Sequence, residues 1–194
     1  ILGIPASISI FIIADPIISS FFERGEFSAT DRILSAKALQ AFAVGIPAYI
    51  LVKILTPIFF ARQNTVTPVK IAIFCVFINF LFNIILMQFY QHVGIAIATA
   101  ISSWLNCILL LYVLLKSNEV VFDKLLKENF KKILIANIIF AILVYYFKDF
   151  INIYSSYRFL NLSIFVLLGI SFYVLLLNFF KIFIFSNFRL FKLR

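Results

Sequence analysis

Six apolar runs, each long enough to cross a lipid bilayer, follow one another along this chain. They cover residues 1–22, 38–60, 69–90, 94–115, 130–150 and 160–185. A membrane-spanning helix needs roughly 20 apolar residues, whereas a barrel strand needs about ten and alternates polar with apolar positions. A helix also satisfies its backbone polar groups internally, as lipid requires. The sequence therefore predicts an all-α, multi-pass transmembrane helical bundle with six spans.

The composition supports a membrane protein. Hydrophobic residues make up 64% of the 194 positions and charged residues 13%, whereas a soluble domain is about half apolar and about a quarter charged. The net charge of +9 reports membrane orientation first, so we expect no nucleic-acid partner. Because the chain begins "ILGIPASIS" without a methionine or a charged leader, we expect a cut N-terminus and no signal peptide.

Lysine and arginine are distributed unevenly among the connections. The second connection carries two of them, the fourth five and the tail four, whereas the first, third and fifth together carry five. Cytoplasmic segments of membrane proteins are enriched in these residues. The second and fourth connections and both chain ends are therefore predicted to be cytoplasmic.

Spans and charges together divide the chain into three parts. Residues 1–116 are predicted to form a four-span bundle, residues 117–129 a cytoplasmic amphipathic connection, and residues 130–194 two further spans with a basic tail. In the connection, apolar residues at near-helical spacing have lysines between them, as in segments that lie on an anionic leaflet. A solvated loop is the alternative.

Polar side chains recur at helical spacing in the third and fourth spans, which the stretch "QHVG" joins into a hairpin. From a rise of about 1.5 Å per residue, Asn83 and Thr99 lie at similar depths, about 10 and 8 Å below the outer surface. We predict that the two polar faces meet. Their side chains either fasten the hairpin by hydrogen bonds or offer oxygen atoms to a small cation. The stripe residues are Asn79, Asn83, Thr99, Ser102, Ser103 and Asn106.

Other local features predict helix geometry. Ser28 followed by Asp31 resembles a capping box, so a helix should restart near Ala29 and continue into the second span. Pro47 and Pro57 interrupt that span, so the helix should be bent, and neighbouring helices should cover the carbonyls that the prolines leave without a donor. Asp15 and Lys53 are ionisable residues within spans, where such groups usually face a cavity or a partner. Lys53 could instead extend its stem to the cytoplasmic surface.

The sequence shows no sign of a catalytic site. The sequence contains no Gly-rich phosphate loop, no cluster of metal ligands and no pairing of a nucleophile with a base, so we expect no enzyme activity. Cys75 and Cys107 are interpreted as small packing residues.

Three stretches resemble one transporter family. They are "FFERGEFSATD", "ALQAFAVGIPAYILVKILTPIFFARQNTVTPVKIA" and "VGIAIATAIS". Together they make the chain similar to the C-terminal part of the MurJ (MviN) lipid II flippase family, in the superfamily of multidrug and polysaccharide exporters. The resemblance is specific over residues 1 to about 116, whereas the last two spans match only in position and hydrophobicity.

The resemblance implies an architecture and an activity. Family members have fourteen helices with both ends in the cytoplasm, of which this chain would supply the ninth to the fourteenth. They move undecaprenyl-diphosphate-linked peptidoglycan precursor, lipid II, across the bacterial inner membrane by alternating access. Implied partners are therefore lipid II, membrane lipids and the missing N-terminal half. The last two helices would form an apolar groove for the lipid tail.

The resemblance also implies site residues. Arg62, in the connection "ARQNTVTPVK", is placed to meet lipid or substrate phosphates, although a topological role for its charge is equally open. Lys53 and Arg24 are the other candidates for substrate contact or gating.

A sodium site of the family uses residues of its seventh, eleventh and twelfth helices, and the part within this chain would fall on two asparagines, one main-chain carbonyl and one threonine. No tightly bound cofactor is implied, but Na⁺ would be a coupling ion. Where some members have an aspartate this chain has Asn83, and the lost charge should weaken cation binding. The four positions are Asn79, Asn83, Ile95 and Thr99.

Two rival functions stay open from the sequence. One is a polysaccharide or drug exporter of the same superfamily, which would not affect lipid II on depletion. The other is a non-transporting membrane scaffold left by gene splitting, against which a coding region for the first eight helices just upstream would argue.

Overall fold

The computed structural model describes residues 2–23, 26–117, 124–149 and 158–180, which are helical apart from short connections. Five of the helices are long and apolar enough to span a membrane, and the bent pair α1 and α2 supplies a sixth candidate span. This confirms the predicted all-α, multi-pass architecture. The helices are α1 (Gly3–Ile12), α2 (Ala14–Phe22), α3 (Ala29–Ala61), α4 (Val66–Tyr90), α5 (His92–Lys116), α6 (Lys124–Phe147) and α7 (Arg158–Phe179).

The first span is broken, which the sequence reasoning did not foresee. Helices α1 and α2 meet at an angle of 68°, with Ile13 between them. Pro16 explains the position of the break, because its ring nitrogen cannot donate to the carbonyl of Ile12, where α1 ends. In the first turn of α2 the same proline is tolerated, since the nitrogens there need no helical acceptor.

Helix α3 begins where the capping box predicted. The backbone N–H of Asp31 donates to Ser28 Oγ at 3.2 Å, and the backbone N–H of Ser28 donates to Asp31 Oδ2 at 3.1 Å. From there the helix continues for 33 residues through Pro47 and Pro57. The long helix thus combines the second predicted span with about two and a half further turns at its N-terminal end.

Neighbouring helices cover the carbonyls beside Pro47, as expected. The carbonyl of Ala43 lies four residues before the proline and has lost its helical donor. Ser7 of α1 donates to it at 2.7 Å, and this bond is buried. The indole of Trp104 in α5 donates to the next carbonyl, that of Val44, at 2.9 Å. Helix α3 is therefore bonded to helices on two sides at the level of its proline.

Helix α5 packs closely against α3. A Cβ atom at Gly45 would lie 3.3 Å from the Cα of Ala100, so glycine avoids a tight contact at this approach. Small buried residues continue along both helices, in the manner of membrane helix interfaces. Toward the other end of α3, Leu55 and Phe59 join Leu110 and Leu114 in an apolar core cluster.

The connection between α3 and α4 ends the first helix with a Schellman motif. The backbone N–H of Asn64 donates to the Phe59 carbonyl at 3.0 Å, and that of Gln63 donates to the Phe60 carbonyl at 2.9 Å. Gln63 has a φ of 57°, the left-handed conformation that glycine usually occupies in this motif. The side chain of Asn64 then accepts from the backbone of Thr67, in the first turn of α4.

An ion pair connects α2 to the start of α3. Arg32 Nε lies 3.3 Å from Asp15 Oδ1, and its Nη1 lies 3.5 Å from Glu23 Oε1. One arginine of α3 therefore meets a carboxylate in the first turn of α2 and another just beyond its last turn. Ala14 and Ile18 pack against Ala36 beside this pair.

The chain divides into two compact units, Leu2–Val121 and the residues from Phe122 onward. In the second unit, α6 packs against α7, and Phe140 meets Tyr173 edge to face with 5.2 Å between ring centroids. Helix α6 begins at Lys124, inside the predicted amphipathic connection. Residues 118–123 of that connection and the basic tail at 181–194 lie outside the described residues.

Replacing Gln63 with glycine should stabilise the protein. A left-handed backbone costs a side-chain-bearing residue about 1 kcal/mol, and glycine removes most of that cost. We expect the free energy of unfolding in detergent to rise by about 0.5 kcal/mol. Asn64→Gly is the matched control and should destabilise, because it removes the acceptor for Thr67. Equal destabilisation by both variants would contradict this interpretation.

Replacing Arg32 with glutamine should loosen α2. A partly exposed ion pair contributes about 0.5–1 kcal/mol, so amide hydrogens of α2 should exchange roughly two- to fivefold faster. Lys37→Gln removes the same charge from an exposed position of α3 and should leave that exchange unchanged. Faster exchange in both variants would indicate a general charge effect instead of this ion pair.

Candidate functional site

The polar stripes of α4 and α5 are brought together by a very short connection. Helix α4 ends at Tyr90 and α5 begins at His92, with Gln91 alone between them at a φ of 52°. A Cβ atom at Gly94 would collide with the backbone of Leu86. The glycine thus lets the first turn of α5 lie directly on the last turns of α4, as the predicted hairpin requires.

Hydrogen bonds join the two asparagines of α4 to α5. The Nδ2 of Asn79 donates to Ser102 Oγ at 3.0 Å, and the Nδ2 of Asn83 donates to Asn79 Oδ1 at 3.0 Å. Both asparagine side chains are half-buried. The prediction that the two polar faces meet is therefore confirmed.

Helix α5 contributes oxygen atoms that are bonded within their own turn. Thr99 Oγ1 donates to the Ile95 carbonyl at 2.8 Å. The hydroxyls of Ser102 and Ser103 both donate to the Thr99 carbonyl, at 3.0 and 2.6 Å. Through Ser102, these bonds connect to the asparagines of α4.

The four positions that the resemblance implies for sodium thus belong to one hydrogen-bonded network. Asn79 contacts Asn83 directly and Ile95 contacts Thr99 directly, whereas the two pairs are joined through Ser102. Ser102 was noted as part of the polar stripe but was not among the predicted site residues. Its spacing from Thr99, on the face toward α4, was the signal that could have identified it.

Two buried amide oxygens in this stripe have no hydrogen-bond partner within the described part of the chain. They are Asn83 Oδ1 and Asn106 Oδ1. A buried carbonyl oxygen that accepts no hydrogen bond costs free energy, so we expect a hydrogen-bond donor or a cation to bind each of these oxygens. Neutral amide, hydroxyl and carbonyl oxygens suit a hard cation such as Na⁺.

Carboxylates do not take part in this stripe. Among residues 2–23, 26–117, 124–149 and 158–180, no group of three or more His, Cys, Asp and Glu side chains could hold a metal ion. The sodium site at Asn79, Asn83, Ile95 and Thr99 stays a prediction.

The predicted substrate-contact cations lie elsewhere. Lys53 is exposed on α3, four residues before Pro57, and Arg62 is the exposed residue that caps the end of the same helix. The hydrogen bonds of the polar stripe include neither of them. Arg24 lies outside the described residues. Asp15, the other ionisable residue predicted within a span, is engaged by Arg32.

An apolar groove of about 490 Å³ lies between α3 and α5. None of its lining residues carries a charge, so the groove offers hydrocarbon contact and no site for a phosphate. The lining residues are Ala41, Val44, Ile97, Ala100, Ile101, Trp104, Leu105 and Ile108.

Comparison with known proteins agrees with the multi-pass helical architecture. The sequence model of the family described as "Lipid II flippase MurJ" matches residues 1–181. A "Probable lipid II flippase MurJ" of Rickettsia prowazekii is 38% identical over 168 residues, covering 84% of this chain and 33% of that protein. The protein of the same name from Haemophilus influenzae is 37% identical over 159 residues, covering 82% of this chain and 31% of that protein.

A third relative, from Vibrio cholerae and also named "Probable lipid II flippase MurJ", is 38% identical over 109 residues, covering 56% of this chain and 21% of that protein. The chain thus spans about a third of the length of the first two relatives. The family match extends beyond the four spans in which the resemblance was specific and includes α6 and α7. This chain belongs to the lipid II flippase MurJ family.

Proposed function

We propose that this chain is part of a lipid II flippase that moves undecaprenyl-diphosphate-linked peptidoglycan precursor outward across the bacterial inner membrane. The observation that carries the proposal is the family match over residues 1–181. The relatives described above are named for lipid II, which favours this substrate over the polysaccharides and drugs of related exporters. The chain transports and does not convert its substrate.

The proposed mechanism is alternating access between this chain and the remaining part of the transporter. Relatives are about three times as long as the matched region, so the rest of the transporter is the principal partner. The helices of Leu2–Val121 pack on one another, which supports a bundle that moves as a body. Packing of this kind switches between discrete arrangements and does not deform continuously.

Substrate and ion contacts in this mechanism fall on different parts of the chain. Arg62 and Lys53 are exposed and, with Arg24, would meet the diphosphate, which guanidinium groups bind through charge-assisted hydrogen bonds. The second and fourth connections and both chain ends would be cytoplasmic, because lysine and arginine are concentrated there. Na⁺ held by the α4 and α5 oxygens would couple its gradient to the conformational change.

Co-expression tests this function. The chain and the remaining two-thirds of the transporter are produced together in a bacterium depleted of its own lipid II flippase, and lipid II reaching the outer leaflet is measured. We expect translocation that requires both pieces. Absence of translocation, with both pieces inserted in the membrane, would favour the related exporter or the non-transporting scaffold.

In the same assay, Arg62→Ala should reduce translocation about tenfold without changing the amount inserted, since a charge-assisted hydrogen bond contributes about 1.5–3 kcal/mol. Lys70→Ala is the matched control, because Lys70 carries the same charge near the same connection and is also exposed. Wild-type translocation by Arg62→Ala would return Arg62 to a topological role.

A further inference from the structure

We propose that Ser102 is a positioning residue that fixes the direction of a hydrogen-bond chain ending at Asn83 Oδ1, and so presents that oxygen to a small cation. The amide chain, as we name it, consists of Ser102, Asn79 and Asn83. The identity of the ligand rests on the sodium coupling proposed above. The direction of the chain rests on the hydrogen bonds alone.

The argument begins with the single proton of the Ser102 hydroxyl. That proton is donated to the Thr99 carbonyl at 3.0 Å, so toward Asn79 the hydroxyl oxygen can only accept. Asn79 must therefore turn its Nδ2 toward Ser102, as the 3.0 Å contact shows. Its Oδ1 consequently faces the other way.

The orientation of Asn83 follows from that of Asn79. Because Asn79 presents an acceptor, Asn83 must present its Nδ2, and the two atoms are 3.0 Å apart. The Oδ1 of Asn83 is then directed away from the chain, buried and without a hydrogen-bond partner among the described residues. One hydroxyl proton thus decides the rotation of two amides.

A chain with a uniform direction has an electrostatic consequence. A side chain that donates through its N–H or O–H is polarised by that bond, which makes the oxygen of the same side chain a stronger acceptor. Asn83 Oδ1 stands at the acceptor end of three such bonds in sequence, so the bonds together make it a stronger acceptor. An aspartate at position 83 could not donate to Asn79, so this arrangement is available only to the amide.

The ligand of this oxygen must supply positive charge or a hydrogen. A buried amide carbonyl in a membrane bundle is costly when nothing completes it. Thr99 and Ile95, on the α5 side of the same network, add neutral oxygens, and Na⁺ prefers oxygen ligands as other hard cations do. An ordered water is the alternative ligand, and its binding would be the same in Na⁺ and in choline.

Ser103 provides a matched control within the same turn. It is as buried as Ser102, at 8% exposure for each residue, and its hydroxyl donates to the same Thr99 carbonyl at 2.6 Å. It takes no part in the chain from Asn83 through Asn79 to Ser102. Ser102→Ala and Ser103→Ala therefore remove the same side-chain volume and the same kind of donor, but only Ser102→Ala removes the acceptor of Asn79.

The test uses the purified chain, labelled with ¹⁵N-asparagine and titrated with Na⁺ in detergent against choline at equal ionic strength. The readouts are the side-chain NH₂ resonances of Asn79 and Asn83. We expect Ser102→Ala to displace the Asn83 resonance without Na⁺ and to raise the apparent Na⁺ dissociation constant about five- to tenfold, as expected for one lost hydrogen bond. Ser103→Ala should leave the Asn83 resonance in place and the apparent Na⁺ dissociation constant within about twofold of the wild-type value. Ser102→Thr keeps the hydroxyl and should give the wild-type resonance and dissociation constant.

Two results would overturn the proposal. One is an Asn83 resonance that does not change in Ser102→Ala, and the other is an equal loss of Na⁺ affinity in Ser102→Ala and Ser103→Ala. If the wild-type chain gives the same response to Na⁺ and choline while Ser102→Ala still displaces the Asn83 resonance, the ordering role is supported and sodium as the ligand is overturned. Lipid II translocation is measured separately, so that result leaves the proposed transport to its own test.

Discussion

A proline inside a membrane helix leaves a carbonyl that lipid cannot satisfy, and the packing of α3 between α1 and α5 includes the bonds that satisfy it. Pro47 deprives the Ala43 carbonyl of its donor, and Ser7 replaces that donor at 2.7 Å. Trp104 binds the adjacent Val44 carbonyl at 2.9 Å. Helix α3 is thereby fixed between α1 and α5, at the level where Gly45 lets α5 approach closely.

On the side of α5 that faces α4, polar groups are likewise satisfied by hydrogen bonds within the protein. A hydroxyl exposed to lipid would cost free energy. The hydroxyls of Ser102 and Ser103 donate to the Thr99 carbonyl, and Ser102 also accepts from Asn79 of α4. Helix α5 therefore donates a hydrogen bond to a backbone carbonyl of α3 and also binds the polar stripe of α4. A change in the position of α5 would therefore affect both sets of hydrogen bonds.

Much of this fold could be predicted from local sequence. Apolar length identified the spans, the Ser28 and Asp31 pair located the start of α3, and helical spacing brought the polar stripes together. The break at Ile13 was not foreseen, because a proline near the middle of an apolar run permits either a kink or a new helix start. The Schellman motif at Gln63 was also missed, since the sequence places no glycine there.

The site was less accessible to sequence reasoning than the fold. Spacing located Asn79 and Asn83. The direction of their hydrogen bonds, however, depends on whether the Ser102 hydroxyl donates or accepts toward α4, and no sequence pattern encodes that. The proposed substrate contacts at Lys53 and Arg62 would involve a ligand and a partner segment outside this chain. The ion pair of Asp15 with Arg32 depends on the bend between α1 and α2, which was not predicted.

The stability of Ser7→Ala combined with Trp104→Phe would decide whether bonds to the carbonyls beside Pro47 hold the bundle together. Each substitution removes one donor and keeps most of the side-chain volume, so we expect the free energy of unfolding in detergent to fall by about 1 kcal/mol for each and about 2 kcal/mol for the pair. Ser9→Ala, in the same helix as Ser7, should have little effect. A doubly substituted protein as stable as the wild type would contradict this explanation of the fold.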